Sequence, residues 1–301
     1  MSNLTGSKCL ITGATNPTSI GYVTALHLLR AGASHIVILG RNETKLKQAC
    51  ADLQDTANAD LKTYDHRLHE INGTVKTVQG IVGDLKQPET MAAVVDQAAT
   101  LMDGIDILVC SGGNGYSEYL GLDITHMASY QLMQNVAVLS PMFLAEAAVP
   151  YLSKSQQKSG GTVVNVGSVS ADTPWPPTAP HNFAMATKNT MTKTLAFKYR
   201  QQNIRVNGVQ TGVIHTGALD VMAEKKGTAV AEYAALRAAS QPLHRNGTPD
   251  EVAQAIVYLA SPASGFTTGE LLRVDGGLHL SNWWNRPRML NEYGTTPQQQ
   301  D

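Results

Sequence analysis

Short, continuously apolar runs alternate along this chain with longer amphipathic stretches, and few folds tolerate that pattern. The runs are Cys9–Ile11, His35–Leu39, Val75–Val82, Ile105–Val109, Thr162–Val166, Arg205–Val209 and Leu271–Val274. Between them lie helix-like segments at Ile20–Arg30, Pro88–Leu101, Ser129–Leu152, Phe183–Gln202 and Pro249–Ala260. A strand apolar on both faces needs cover on both faces, and intervening helices supply it when the strands run parallel. The pattern therefore predicts an α/β, doubly wound parallel sheet. In the first helix Ile20, Val23, Leu26 and Leu29 recur at three-residue intervals, predicting one buried stripe that Gly32 ends.

No linker or repeat divides the 301 residues, so one domain is expected over residues 1–280, with a C-terminal extension at 281–301. That extension carries Trp283, Trp284 and Pro287, and adjacent tryptophans are expected to bury against this subunit's pocket or a neighbouring subunit. The polar, His-rich stretch Asp52–Asn72 reads as surface decoration lengthening the connection into the third strand.

Composition narrows the function classes. A hydrophobic share of 43% against 16% charged residues suits a compact core. The net charge of −1 gives no electrostatic case for nucleic acid or an anionic membrane. Cys9, Cys50 and Cys110 form no Cys-x-x-Cys pair, which argues against a disulfide framework or zinc site and for a reducing cytoplasm. No leader is apparent, and no run approaches the roughly 20 apolar residues of a membrane span. A soluble cytoplasmic protein acting on a small molecule is the expectation.

Directly after the first run comes Thr12-Gly13-Ala14-Thr15-Asn16-Pro17-Thr18-Ser19-Ile20-Gly21, then a helix. Strand, Gly-containing turn and helix N-terminus together make an anion site, because unpaired N–H groups and the helix dipole converge there. Gly13 permits the tight turn, and Gly21 permits close approach of helix to sheet or pyrophosphate. The usual middle glycine is missing, and the turn is about two residues longer than the compact form. The second run ends Gly40-Arg41-Asn42, with no carboxylate for a ribose 2′-hydroxyl and a guanidinium placed for a 2′-phosphate. A solvated surface arginine is the bland alternative, but the missing acid and the present base agree on NADP(H) rather than NAD.

These residues resemble the short-chain dehydrogenase/reductase superfamily, a Rossmann-fold family, from about Lys8 to Leu278. The turn Thr12–Gly21 is similar to its cofactor loop in the longer form of the enoyl-reductase branch. The resemblance implies that Gly13, Thr15, Asn16, Ser19 and Ile20 cradle the dinucleotide and that Asp84, followed by Leu85, meets the adenine. Cys110-Ser111-Gly112-Gly113 stands where the family writes Asn-Asn-Ala-Gly, and implies a cofactor contact at Gly112. Asn207–Thr216 is similar to the Pro-Gly segment, with Thr211 in place of proline. It implies cofactor roles for Gly212, Ile214 and Thr216, the last two at the carboxamide. Arg245–Ala253, Thr268-Gly269-Glu270 and Val274–Gly277 resemble the family's C-terminal third. A homodimer or homotetramer is implied by analogy with helices around Ser129–Leu152 and Phe183–Gln202.

In the family mechanism a tyrosine protonates the substrate oxygen while the nicotinamide delivers hydride. A lysine lowers the tyrosine pKa and orients the ribose, and a serine hydrogen-bonds the oxygen. Ser168 (in Asn165-Val166-Gly167-Ser168), Lys188 and the helix asparagine Asn135 match. The position four residues before Lys188 holds Ala184, and no tyrosine stands between Tyr151 and Tyr199. The enoyl-reductase branch sets its tyrosine seven residues before the lysine, where this chain has His181.

Three readings follow. His181, Tyr116 or His215 supplies the proton to a reductase; the acceptor needs no strong acid; or the scaffold has turned to isomerisation, cyclisation or dehydration, or only senses NADP(H). His181 as a plain loop residue after Pro180, and Ser168 as a strand-end hydroxyl satisfying backbone, are the structural alternatives. The loop Val169–Asn182, with Asp172, Trp175 and four prolines, is expected to wall a shaped apolar pocket, with Asp172 a solvated carboxylate. A hydrolase is a poor reading, since no Gly-x-Ser-x-Gly elbow is present. The first reading leads: NADP(H)-dependent reduction of a C=O, C=C or C=N bond in a small, largely apolar metabolite.

Overall fold

A computed structural model describes residues 3–63, 76–113, 125–174 and 178–281, with side chains left undescribed at 60–63. Its strands are β1 (Lys8–Thr12), β2 (His35–Gly40), β3 (Thr77–Val82), β4 (Ile107–Cys110), β5 (Gly161–Ser168), β6 (Ile204–Thr211) and β7 (Leu271–Val274). The helices are α1 (Ile20–Arg30), α2 (Glu43–Thr63), α3 (Met91–Met102), α4 (Met127–Gln134), α5 (Ser140–Leu152), α6 (Ala179–Lys198), α7 (Gly217–Lys225), α8 (Val230–Ala238) and α9 (Pro249–Ala260). The seven strands form one parallel sheet in the order β3-β2-β1-β4-β5-β6-β7. All seven expected strands are present. The order reverses between β1 and β4, so a crevice opens at their C-terminal ends, where such sheets bind ligands.

Successive strand residues face opposite layers, as the pleat requires. Leu10, Val37, Leu108, Val163 and Val206 pack with α3, α5 and α6. Cys9, Ile11, Ile36, Ile38, Val109 and Val164 pack with α1, α2 and α9. Each layer is anchored by sequence-local devices. Thr248 accepts from the Glu251 N–H while the Glu251 carboxylate accepts from the Thr248 N–H, a capping box that starts α9 behind Pro249.

Several expectations change. The segment Asp52–Asn72 is not simply a loop, because α2 continues to Thr63. Its face carrying Leu46, Ala49, Leu53 and Ala57 is buried, and that three-to-four spacing sustains the helix. In α1 the buried stripe is Tyr22, Ala25, Leu28 and Leu29, whereas Ile20, Val23 and Leu26 are only half-buried. The helix is covered by both the sheet and α9, so its burial extends around two sides. The helix expected at Phe183 begins earlier, at Ala179, with Pro180 in its first turn, where a missing N–H costs nothing. The short helices α7 and α8 were not anticipated. A satellite cluster of Leu219, Met222, Ala223 and Tyr233 packs them against Val169, just beyond β5.

The helix α4–α5 is continuous over Met127–Leu152 through a π-helical turn at Asn135–Leu139. The helix is 26 residues long and holds an 18-residue window of mean hydropathy 1.4, which meets the length and composition of a membrane span, contrary to the expectation from sequence. Half of that window is buried in this fold, and Met133, Ala137, Leu144, Ala145, Ala148 and Leu152 of the helix belong to the core, which accounts for the apolar content by core packing. Trp175, the tryptophans of the C-terminal extension and Tyr116 lie outside the described residues.

Candidate active site

The turn after β1 is shaped as an anion cradle. Gly13 has φ of +73°, and a Cβ there would lie 2.7 Å from the Gly112 Cα. A Cβ at Gly21 would lie 2.6 Å from the Gly13 carbonyl oxygen, so only glycine lets α1 start this close to the turn. The Ser19 hydroxyl donates to the Gly13 carbonyl at 3.0 Å and accepts from the Tyr22 N–H at 3.2 Å, making Ser19 the N-cap of α1. Asn16 folds the extra length of the turn back on itself, its Oδ1 accepting from the Thr18 N–H and hydroxyl, each at 3.0 Å. The Gly112 N–H donates to the Thr12 hydroxyl at 2.7 Å, stitching the end of β4 to the end of β1.

These pieces line one cleft of about 450 Å³. Gly13, Thr15, Asn16 and Ser19 come from the turn, Gly40 and Arg41 from the end of β2, Asp84 and Leu85 from the end of β3, and Gly112 from the end of β4. On the opposite wall stand Gly217, Ala218 and Val221 of α7, and the Gly217 N–H donates to the Thr18 hydroxyl at 3.0 Å. The turn thus touches α7 across the crevice. A dinucleotide fits this donor set: two glycines clear the approach, helix N–H groups face it, and a guanidinium stands at the β2 end.

The remaining expected cofactor residues occupy different places. Ile20 packs partly into the core beneath the turn. Thr216 is the residue before α7, adjacent to the cleft wall. Gly212 is wedged between Asp275 and Gln241, so a packing constraint accounts for it. Ile214 bridges to Gly247 and lines a separate cavity of about 490 Å³ with Asp275 and Gly276.

Of the residues expected in catalysis, Ser168 ends β5 and its Oγ accepts from the Ser170 N–H at 3.1 Å, capping a single 3₁₀ turn. Beside it, Thr211 pairs with Ser168 in the β5–β6 ladder, and its hydroxyl donates to the Gly167 carbonyl at 3.0 Å. Asn135 opens the π-helical turn; its amide donates to the Lys86 carbonyl at 3.0 Å and accepts from Gln131 at 2.9 Å. Ser140, at the far end of that turn, donates to the Leu85 carbonyl at 2.7 Å. The π-turn therefore fixes the β3–α3 wall of the cleft, a use in keeping with the frequency of such turns at functional sites.

Lys188 is 2% exposed on the inner face of α6. Its ammonium donates to the Val166 carbonyl at 2.8 Å and reaches the Cys110 carbonyl at 3.5 Å. Val166 is two residues before Ser168 and Cys110 two before Gly112, so this charge sits between the strand bearing the serine and the floor of the cleft. Burial pushes the Lys188 amine down to about 8. Burial and then the Lys188 charge push the His181 imidazole down to about 4, leaving it neutral at pH 7. Cys110, facing the same layer, is held as a thiol by burial. Ala184, one turn before Lys188, is fully buried.

Two side chains considered earlier stand elsewhere. His215 is half-exposed beside Asp220 at 3.5 Å and lines an outer groove with His244 and Arg245. Asp172 is exposed, as expected, but its Oδ2 also accepts from Gln210 and from Arg273, each at 3.0 Å, tying the loop after Ser168 to β6 and β7. Gln210 and Arg273 are register partners, which explains why one carboxylate reaches both. The sequence offered no sign of this contact, since it depends on β7 lying next to β6.

A family profile described as "Enoyl-(Acyl carrier protein) reductase" matches residues 13–279. The chain belongs to the short-chain dehydrogenase/reductase superfamily. The human protein "Dehydrogenase/reductase SDR family member 4" is 29% identical over 276 residues, 91% of this chain and 88% of its own length. The 3-oxoacyl-[acyl-carrier-protein] reductase of Thermotoga maritima is 30% identical over 276 residues, 91% of this chain and 98% of its own. Among solved structures, L-sorbose reductase from Gluconobacter frateurii, complexed with NADPH and L-sorbose, superposes with a TM-score of 0.78 at 25% identity. It covers 93% of this chain and 99% of its own. An NADPH-bound short-chain oxidoreductase from Pseudomonas aeruginosa, described as containing an atypical catalytic center, gives a TM-score of 0.78 at 25% identity. There the coverage is 92% of this chain and 98% of its own. The chain is an oxidoreductase of this superfamily's type.

Proposed function

We propose that the protein is an NADP(H)-dependent reductase of a C=O, C=C or C=N bond in a small, largely apolar molecule, working without the usual tyrosine acid. The observation that carries the cofactor choice is Arg41 in the wall of the cleft, at the β2 end that reads Gly40-Arg41-Asn42. A guanidinium there pairs with a 2′-phosphate, whereas a ribose 2′-hydroxyl calls for a carboxylate. The NADPH complexes of the Gluconobacter and Pseudomonas proteins support the same choice.

Gly13, Ser19 and the first turn of α1 would hold the pyrophosphate, Asp84 and Leu85 the adenine side, and Lys188 the nicotinamide ribose. When bound, the reduced cofactor supplies hydride. Ser168 orients the acceptor by a hydrogen bond to its heteroatom, its hydroxyl aimed by the capped 3₁₀ turn that follows it. The α7–α8 cluster packed on Val169 limits water beyond the strand end.

Cofactor titration by fluorescence tests the reading. Micromolar NADPH binding is expected, and Arg41→Ala should weaken NADPH by about tenfold or more, the worth of a charge-assisted pair, with little change for NADH. Equal loss for both dinucleotides refutes the phosphate role. Deuterium carried from the nicotinamide C4 into product separates reduction from isomerisation or cyclisation, which transfer none.

A further inference from the structure

We infer that Lys188 is itself the proton donor of this enzyme, replacing the absent tyrosine, with its ammonium serving the acceptor atom that Ser168 holds. The inference rests on the reductase reading above and assigns the residue a second task beyond holding the ribose.

Position comes first. The ammonium is anchored on two main-chain carbonyls, Val166 and Cys110, belonging to adjacent central strands. One strand ends in Ser168 and the other leads to Gly112 on the cleft floor. An ammonium has three N–H donors, so with two on the carbonyls the remaining one would have to turn from the ribose to the acceptor during the reaction. Ala184, one helical turn earlier on the same face, places only a methyl group beside it.

Proton inventory comes second. Among the described residues, the titratable groups coupled to Lys188 are His181 on α6 and Cys110 on β4. His181, at about 4, has no spare proton at neutral pH, and Cys110, at about 12, holds its proton too tightly. Lys188, at about 8, is protonated at pH 7 and gives its proton up readily, which is the condition for an efficient general acid.

The step balances for a carbonyl acceptor. The carbon takes hydride from the reduced nicotinamide, which is oxidised, and the oxygen takes a proton from Lys188. The C=O π bond is consumed, one N–H bond breaks, one O–H bond forms, and the neutral amine regains its proton from solvent. Arg separates this role from a merely electrostatic or ribose-binding one: it keeps the charge but cannot release a proton.

The experiment compares wild type, Lys188→Arg and His181→Gln, all checked for folding by circular dichroism. Calorimetry of NADPH binding at pH 8, in buffers of different ionisation enthalpy, reads proton linkage without turnover. Wild type and His181→Gln should take up a fraction of a proton, roughly half at most, as the anionic ligand recharges Lys188, and Lys188→Arg should take up none. Reduction of 2,3-butanedione and 9,10-phenanthrenequinone should fall above about pH 8 in wild type and His181→Gln. Lys188→Arg should lose about 100-fold or more in kcat and lose that alkaline limb. Equal proton uptake in Lys188→Arg, or an alkaline limb that survives in it, overturns the assignment. NADPH binding by wild type with no reduction of either acceptor overturns the donor assignment, which is written for a carbonyl, whereas the reductase reading falls only if deuterium from the nicotinamide C4 reaches no product.

Discussion

Replacing Lys188 by Met should give a more pH-independent protein, and the size of that effect follows from the burial of the amine. In the unfolded chain the amine has its ordinary pKa of 10.5, and in the folded apo protein it lies at about 8. Each pKa unit is worth about 1.4 kcal/mol, so below pH 8 the buried charge costs the folded state about 3 kcal/mol. Between pH 8 and 10.5 the unfolded state binds more protons than the folded one. This residue's contribution therefore rises with pH across that window and is flat below it. Met removes the titration and fills the space, but it leaves the Val166 carbonyl without its donor, a loss of about 1–3 kcal/mol that does not depend on pH. The absolute stabilities at pH 7 consequently partly cancel, and the pH dependence of the difference is the clean quantity. Urea unfolding of both proteins at pH 7, 8, 9 and 10 should show wild type gaining on Lys188→Met by about 2–3 kcal/mol, other alkaline titrations being common to both. Parallel curves would refute the depressed amine and remove one support of the donor assignment.

Two further outcomes follow from single contacts. Thr248→Ala breaks the capping box of α9 and should cost about 1 kcal/mol in urea unfolding, with Thr248→Asp retaining most of it; no loss in the alanine variant would show the cap to be idle. Thr18→Val removes the acceptor that the Gly217 N–H uses to hold α7 against the phosphate turn, so NADPH should dissociate several-fold faster in stopped-flow displacement, worth about 1 kcal/mol. An unchanged release rate would mean that this contact does not hold the cleft closed.

The strands were legible because fully buried parallel strands are written as unbroken apolar runs, and all seven stand close to where those runs fall. The phosphate turn was legible because backbone geometry demands particular residues, as Gly13 and Gly21 show. What escaped was whatever depends on which elements become neighbours. The double coverage of α1 by sheet and α9 shifts its buried face toward Tyr22 and Ala25. The α7–α8 pair has little to mark it, since its cluster closes against Val169, Val213 and Leu278 from other segments. The same holds for Asp172, a loop carboxylate in sequence and a tie between three elements in space.

The site shows this division most clearly on α6. The linear spacing of His181, Ala184 and Lys188 identifies a single buried face but not who carries charge on it. A face this enclosed tolerates one positive charge, because a second would add repulsion to an already large desolvation cost. Lysine starts with the higher proton affinity and has two carbonyls to hold its ammonium, so it keeps the charge, while burial and then that charge leave His181 neutral. Those carbonyls are delivered by β4 and β5, whose adjacency no local motif encodes. Ala184, four residues before Lys188, therefore takes on chemical meaning only with the fold. Among His181, Ala184 and Lys188 on that face, the lysine is the group whose pKa lies near neutrality.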